Sequence, residues 1–363
     1  MPQHSSHRTC LIRYPKEFKA SRLVNPSLSN PFVSVLIRSY NRLPYVLEIV
    51  KVSLTQNYDN FEIVIMDQSD EAHWTEHRTA IESKGEKVRV IRSEPLGSAR
   101  AKNVGVANCR GDVVLFIDDD DLPVGNNWIS SHARHYEDPQ CLGVSGRCVK
   151  RLDEKPPYKD PEMAYARCLS YSFFLRGRDF TGIDRTKKPV EWLHGLNASV
   201  RRSYVVELGG WYPFVPNIDE HSFCFKLQKA MQDGDYLMFD PEPVALRRFN
   251  IPGGLGKRHL SLNNIVRNHL KYYHWVVAEQ FPLRFYGLYP FFIMYAFLFA
   301  VRWFKTYSSF TDSRWMKWFG PQMGRRMYIW QEFIFLPLTA LRLLLSKRPT
   351  WSGPLESIES QSQ

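Results

Sequence analysis

The chain has 363 residues, enough for one large domain with additions or for two domains. Its formal net charge is +11, and its six cysteines (Cys10, Cys109, Cys141, Cys148, Cys168, Cys224) are scattered without a CxxC pair, which excludes a zinc pattern and a disulfide framework. From Arg247 to Arg348 there are sixteen Lys/Arg against three acids, Glu279, Asp312 and Glu332, so this segment carries +13 and the remainder is slightly acidic. A basic module of this kind seeks phosphates, of nucleic acid or of anionic lipid. Residues 1–30 are polar and show no apolar signal-peptide core, so they read as a flexible lead-in and a reducing, cytoplasmic setting is expected.

Pro31 opens the ordered part. Val33 to Arg38 is a β-rich strand, followed by the loop Ser39-Tyr40-Asn41-Arg42. Pro44 suits the first turn of a helix that runs to about Gln56, with Val46, Ile49, Val50, Ser53 and Leu54 on one face. Phe61 to Met66 is a second strand and ends at Asp67. A polar helix near 72–83 leads to a third strand over 87–91. Leu96-Gly97-Ser98 opens a helix that contains Lys102 and Asn103. The order is βαβαβαβ with short loops, which predicts an open, mostly parallel α/β sheet flanked by helices. No GxGxxG follows the first strand and no GxxxxGK[ST] occurs, which argues against dinucleotide oxidoreductases and P-loop NTPases.

The fourth strand is the most telling. Val113 to Ile117 is a continuous apolar run, as in a strand buried on both faces, and it stops at Asp118-Asp119-Asp120-Asp121. Four adjacent carboxylates repel, and a hard divalent cation, Mg²⁺ or Mn²⁺, is the simplest counter-charge because it takes oxygen ligands and bridges to phosphates. Ligands in open α/β sheets sit at the carboxyl ends of the strands. A metal–phosphate site is therefore expected here, against the plainer reading of an acidic turn, with Asp119 or Asp121 capping a helix that begins near Val124.

Six segments, in order, resemble the family 2 glycosyltransferases of the nucleotide-diphospho-sugar (GT-A) fold. They are Val33–Arg42, Glu62–Asp70, Leu96–Val106, Gly111–Asp121, Gly195–Trp211 and Asp219–Leu227, and together they span roughly residues 31 to 245. The resemblance implies an inverting, metal-dependent transferase that uses a nucleotide-sugar donor. It implies that Asp118 and Asp120 form a DxD pair for the metal, with Asp118 also near the ribose. It gives Asp67 a base N–H, such as uracil N3–H, although a strand-end Asp also makes Asx turns. Ser39, Asn41 and Arg42 would hold base or phosphate, and Lys102 and Asn103 base or diphosphate unless they are surface helix positions. Glu220, with Asp219 as rival, would be the general base; the plainer reading is acids answering a helix dipole, with Lys226 as an exposed partner. His194, Asn197 and Trp211 would lie on the acceptor side, Trp211 either stacking on a sugar or lying in the core. Arg247-Arg248 and Pro252-Gly253-Gly254 read as a basic flap over the diphosphate, or as a basic surface loop. The chain departs from the family at Gln68, Lys102 and the order Asp219-Glu220, which blurs the nucleotide and the choice of base.

Four parts are thus expected: the lead-in over 1–30, the transferase domain over 31–254, a basic, aromatic helical extension over 255–348 and a tail over 349–363. In the extension, Phe285 to Val301 is free of charge and at the lower limit for a membrane span, which is the alternative reading. Helices lying in the interface of an anionic membrane are preferred, with Trp303, Trp315, Trp318, Tyr328 and Trp330 at headgroup depth, because a single span conflicts with the positive-inside tendency. An extension simply packed on the catalytic domain is the plainer alternative. The resemblance implies transfer from a UDP-sugar, first among nucleotide donors, to a glycan or lipid-linked acceptor in exopolysaccharide or other cell-surface glycan synthesis, at the inner membrane face. A catalytically silent scaffold and a basic nucleic-acid-binding protein are the rival readings; the second leaves the acidic strand ends unexplained, so no nucleic acid is expected as partner.

Overall fold

A computed structural model describes residues 25–149, 152, 164–165, 169–171, 177–179, 187–215, 219–248, 251–252, 262–306 and 314–349. The N-terminal half alternates strand and helix: β1 Val33–Ser39, α1 Leu43–Leu54, β2 Phe61–Asp67, α2 Glu71–Glu82, β3 Val88–Arg92, α3 Ser98–Asn108 and β4 Val113–Asp118. Then come β5 Asp121–Val124, α4 Trp128–Ala133, β6 Cys141–Val149 and the short strands β7 Ala164–Tyr165, β8 Leu169–Tyr171, β9 Gly177–Asp179 and β10 Lys188–Val190. β11 Ala198–Arg201, α5 Arg202–Glu207, α6 Asp219–Ala230 and β12 Tyr236–Arg247 complete the sheet region.

The main sheet has the order β10-β12-β6-β11-β4-β1-β2-β3. β3, β2, β1 and β4 are parallel neighbours, as expected. Beyond β4 the sheet is mixed: β11 is antiparallel to both β4 and β6, while β12 runs parallel to β6. The chain moves outward from β1 to β3 and returns to the other side of β1 at β4. That reversal opens a crevice at the carboxyl ends of β1 and β4.

Both faces of the sheet are covered, which explains the continuous apolar strands. Val33, Val35 and Ile37 of β1 pack with Val46, Ile49 and Val50 of α1 and with Trp128 of α4. Leu36, Val64 and Met66 face the other way, against Ala99 and Val106 of α3, Tyr204 of α5 and Phe223 of α6. Pro44 lies in the first turn of α1, as expected.

Two expectations change, and one alternative is not met. No helix starts near Val124; Asp121–Val124 is a strand, and it pairs with β12 so that Asp121 lies opposite Arg247. Residues 25–30 are tied to the body, with Asn25 Nδ2 donating to the Tyr204 hydroxyl at 3.0 Å and the Leu28 N–H to the Tyr136 carbonyl at 2.9 Å. The first 24 residues lie outside the described ones, as does most of the tail. The apolar run from Phe285 to Val301 is divided between α9 and α10, and among the described residues no helix is long and apolar enough to cross a membrane.

The helical extension comprises α7 Leu262–Lys271, a π-helical turn Tyr272–Val277, α8 Ala278–Gln280, α9 Pro282–Gly287, α10 Tyr289–Thr306 and α11 Arg314–Leu345. Tyr272, Tyr273, Val276, Phe285 and Phe292 pack against Tyr212, Val215 and Phe225. The extension therefore rests on the α6 side of the sheet.

Candidate active site

The crevice collects opposite charges. Arg38 and Asp118 are paired residues of the parallel β1–β4 ladder, and the Arg38 guanidinium bonds Asp118 on one side and Ser98 Oγ, at 2.7 Å, on the other. Arg42, just ahead of α1, donates to Asp119 at 2.5 Å and lies 3.7 Å from Asp120. Arg247 at the end of β12 lies 3.6 Å from Asp120. Arg248 donates its backbone N–H to the Asp120 carbonyl at 2.7 Å and its guanidinium to the Asp119 carbonyl at 3.1 Å. Arg248 thus lines the crevice, and Gly253 and Gly254 lie outside the described residues. Arginines supply part of the counter-charge that the carboxylate run demands.

They do not supply all of it. Asp121 is fully buried, and neither of its carboxylate oxygens has a hydrogen-bond partner among the described residues. Asp118, Asp120 and Asp121 can bring one oxygen each within 4.8 Å of one another. Burial pushes the Asp121 carboxyl well up, with Arg247 opposing, and pushes Asp119 up to about 6 against Arg42. Burial and the neighbouring Asp118 also raise Asp120. A three-carboxylate cluster with a buried, unsatisfied member fits a hard divalent cation. Asp121 is a member that the DxD pattern misses; its inward direction is set by pairing with β12, more than a hundred residues on.

The nucleotide-loop residues surround this cluster unevenly. Ser39 ends β1 beside Asp67, and its buried hydroxyl has no partner among the described residues. Asn41 takes a left-handed φ of 53° and exchanges hydrogen bonds with Asp70, which shapes the loop. Asp67 is only 1% exposed. Its Oδ1 accepts the Ser69 N–H at 3.0 Å and its Oδ2 meets His77 Nδ1 at 3.2 Å. The Asx turn given as the plainer reading forms, and it holds the loop that follows β2.

A second acidic position lies along α3. Ser98 and Lys102 are one turn apart on the same helix face, about 6 Å along the axis. Ser98 meets Arg38; Lys102 Nζ donates to Glu220 Oε1 at 3.1 Å. Lys102 is fully buried, not a surface position, and its ammonium also sits 5.4 Å from the Trp211 ring centre. Glu220 keeps 24% of its side chain exposed. Burial alone would raise its carboxyl, but Lys102 first and His194 next hold it well below the usual carboxylate range. Gly195 makes room for it, since a Cβ there would come within 2.0 Å of Glu220 Oε1. Asp219 opens α6, and its side chain lies outside the described ones. Lys226 is not an exposed partner of these acids; it donates to the Leu208 and Gly210 carbonyls at 3.1 Å each.

Three residues expected at the site are buried and bonded within the protein. Asn103 donates to the Trp211 carbonyl and accepts its N–H, both at 2.8 Å, which clamps the loop after the left-handed Gly209-Gly210 pair. Trp211 is buried, edge-on to Phe116 at 5.1 Å and 4.7 Å from Phe223, so it is the core Trp of the two alternatives. Asn197 is fully buried; it accepts from Trp128 Nε1 at 2.7 Å and donates to the Arg147 and Pro243 carbonyls at 2.8 and 3.0 Å. His194 remains beside Glu220, with its own N–H on Ser145 Oγ at 2.9 Å. Arg38 carries no expectation from the sequence; a cation ending a buried strand is the signal that marks it.

The fold is a central mixed sheet flanked by helices, GT-A-like, with acidic groups at the carboxyl end of its central strand. Residues 34–209 match the family described as Glycosyl transferase family 2. The chain is 33% identical over 156 residues to a glycosyltransferase, GlyG, of Streptococcus pneumoniae, covering 41% of this chain and 45% of that protein. It is 28% identical over 182 residues to the glucosyl-dolichyl phosphate glucuronosyltransferase of Haloferax volcanii, covering 49% and 55%. A solved mannosyltransferase from Pyrobaculum calidifontis, in complex with GDP-Man and Mn²⁺, aligns over 88% of both chains at 18% identity and a TM-score of 0.47, too slight a likeness to transfer a donor or a metal. The chain spans about half the length, or less, of the curated relatives it matches.

The Lys102–Glu220 pair should show in stability. A carboxylate whose folded pKa is depressed stabilises the fold above its unfolded pKa, and that contribution is lost as pH falls through the folded value. Lys102→Met leaves Glu220 beside no buried cation and should cost about 3 kcal/mol at neutral pH. The gap between wild type and variant in urea unfolding should narrow as pH drops below the ordinary carboxylate range; a gap independent of pH would show that the pair is not ionised.

Proposed function

We propose that the protein is an inverting, metal-dependent glycosyltransferase. It transfers a sugar from a nucleotide diphosphate, a UDP-sugar first among candidates, to a glycan or lipid-linked acceptor in cell-surface glycan synthesis. One observation carries the reading. Helix α3 joins two acidic positions of different character, the Asp118–Asp120–Asp121 cluster through Ser98 and Arg38, and the isolated, ionised Glu220 through Lys102. A displacement at an anomeric carbon needs this division: charge neutralisation for the leaving diphosphate on one side, a carboxylate for the acceptor hydroxyl on the other.

Asp118, Asp120 and Asp121 would hold Mn²⁺ or Mg²⁺, which when bound neutralises charge on the departing diphosphate. Arg38, Arg42 and Arg247 border the same space and can meet phosphate oxygens as they now meet carboxylates. Glu220 accepts the proton of the acceptor hydroxyl as that oxygen bonds to the anomeric carbon and the sugar–phosphate bond breaks. One displacement with one base inverts the configuration. Lys102 keeps Glu220 ionised and aimed. The lipid-linked acceptor draws support from the name of the Haloferax relative.

Thermal shifts with UDP-, GDP- and dTDP-sugars, with and without Mn²⁺, test the donor, since a ligand that binds only the native state raises its stability. Asp120→Asn should abolish transfer and the metal-dependent part of the shift while leaving the fold intact. Full turnover in excess EDTA would refute the cluster's role. Glu220→Gln should lower kcat by roughly two to four orders of magnitude, with little change in donor affinity. A benign Glu220→Gln beside an inactive Asp219→Asn would move the base one residue back.

A further inference from the structure

Each of the last three helices exposes apolar side chains. On α11, Trp330, Ile334, Leu338, Leu341 and Leu345 recur at helical spacing along one stripe and are 52% to 81% exposed. Leu336 and Ala340, on the opposite side, are buried against Leu270 and Ala296. The helix is therefore apolar both toward the protein and toward solvent. α10 repeats the pattern with Phe291, Met294 and Leu298, three and four residues apart and each about half exposed. In α9 Leu283 is 90% exposed. Half-exposed side chains of this size show on the order of 100 Å² each, so the five on α11 alone present roughly 500 Å², at the upper end of a single patch on a soluble monomer.

Charge selects the occupant. Residues 282–349 hold ten Lys/Arg against two acids, Asp312 and Glu332. Arg284, Arg326, Arg342 and Lys347 are exposed. A second copy of the same basic surface would be repelled, whereas an anionic bilayer satisfies both the apolar stripes and the cations. Exposed Trp318 and Trp330 have the amphipathic rings that suit headgroup depth. With no helix among the described residues able to cross a membrane, contact is lateral. We propose that the exposed face of α9–α11 lies in the surface of an anionic membrane leaflet and holds the sheet domain beside it. The proposal rests on these helices alone and stands or falls independently of glycosyl transfer.

The test is flotation of the full chain with phosphatidylcholine vesicles and with vesicles that add phosphatidylglycerol. Binding should occur with the anionic vesicles, weaken in high salt and be slight with neutral ones. Arg326→Gln and Arg342→Gln should each weaken it roughly fivefold. Ile334→Ser with Leu338→Ser should remove it while circular dichroism and thermal stability stay unchanged, because both side chains face solvent. Should that pair disturb folding, the blue shift of Trp330 fluorescence on adding vesicles to the unaltered chain, absent in Trp330→Phe, gives the same answer. Absence of vesicle binding, binding that resists alkaline carbonate, a dimer dissolved by Leu338→Ser, or salt-sensitive binding to RNA alone would each overturn the assignment.

Discussion

The structure depends on one electrostatic demand: four consecutive carboxylates at the end of a buried strand must be compensated. Parallel pairing of β1 with β4 brings Arg38 to Asp118, and the antiparallel pairing of β5 with β12 brings Arg247 to Asp121. Arg42 and Arg248 add to this from the loops. The compensation is incomplete at Asp121, whose two buried carboxylate oxygens have no hydrogen-bond partner among the described residues. An unsatisfied buried carboxylate is costly enough to imply a ligand in the working protein.

Helix α3 turns that demand into a two-sided site. Its first residue is linked to the Asp cluster, and a residue one turn later is linked to Glu220. Asn103, on the same helix, fixes the backbone of Trp211 and so the wall against which Lys102 lies. A single rigid element thereby sets the separation of two acidic groups. Such placement on regular structure is more exact than placement on loops.

Much of the parallel half was legible in the sequence, because each strand is a short apolar run ending in a polar residue and each helix carries its own period. Asp118 and Asp120 were legible as candidates for the same reason, and Lys102 and Glu220 through the resemblance to the family 2 glycosyltransferases. Other features depend on contacts between distant segments. Asn103, Asn197 and Trp211 sit in motifs that look functional, yet each spends its polar groups or its ring inside the protein. Arg38 looks ordinary in sequence and Asp121 reads as a helix cap; both matter through register. Phe285 to Val301 looks like one run, but the chain breaks it between α9 and α10 and buries only part of it.

The central claim is that the Asp118–Asp120–Asp121 cluster holds a divalent cation together with a nucleoside diphosphate. Anomalous diffraction at the manganese edge, from crystals of the full chain grown with Mn²⁺ and UDP, measures this directly. The account expects one strong peak bounded by these three carboxylates, with the diphosphate against it and near Arg38 or Arg247. Diphosphate bound at the crevice with no metal peak there, or a peak at another site, would contradict it.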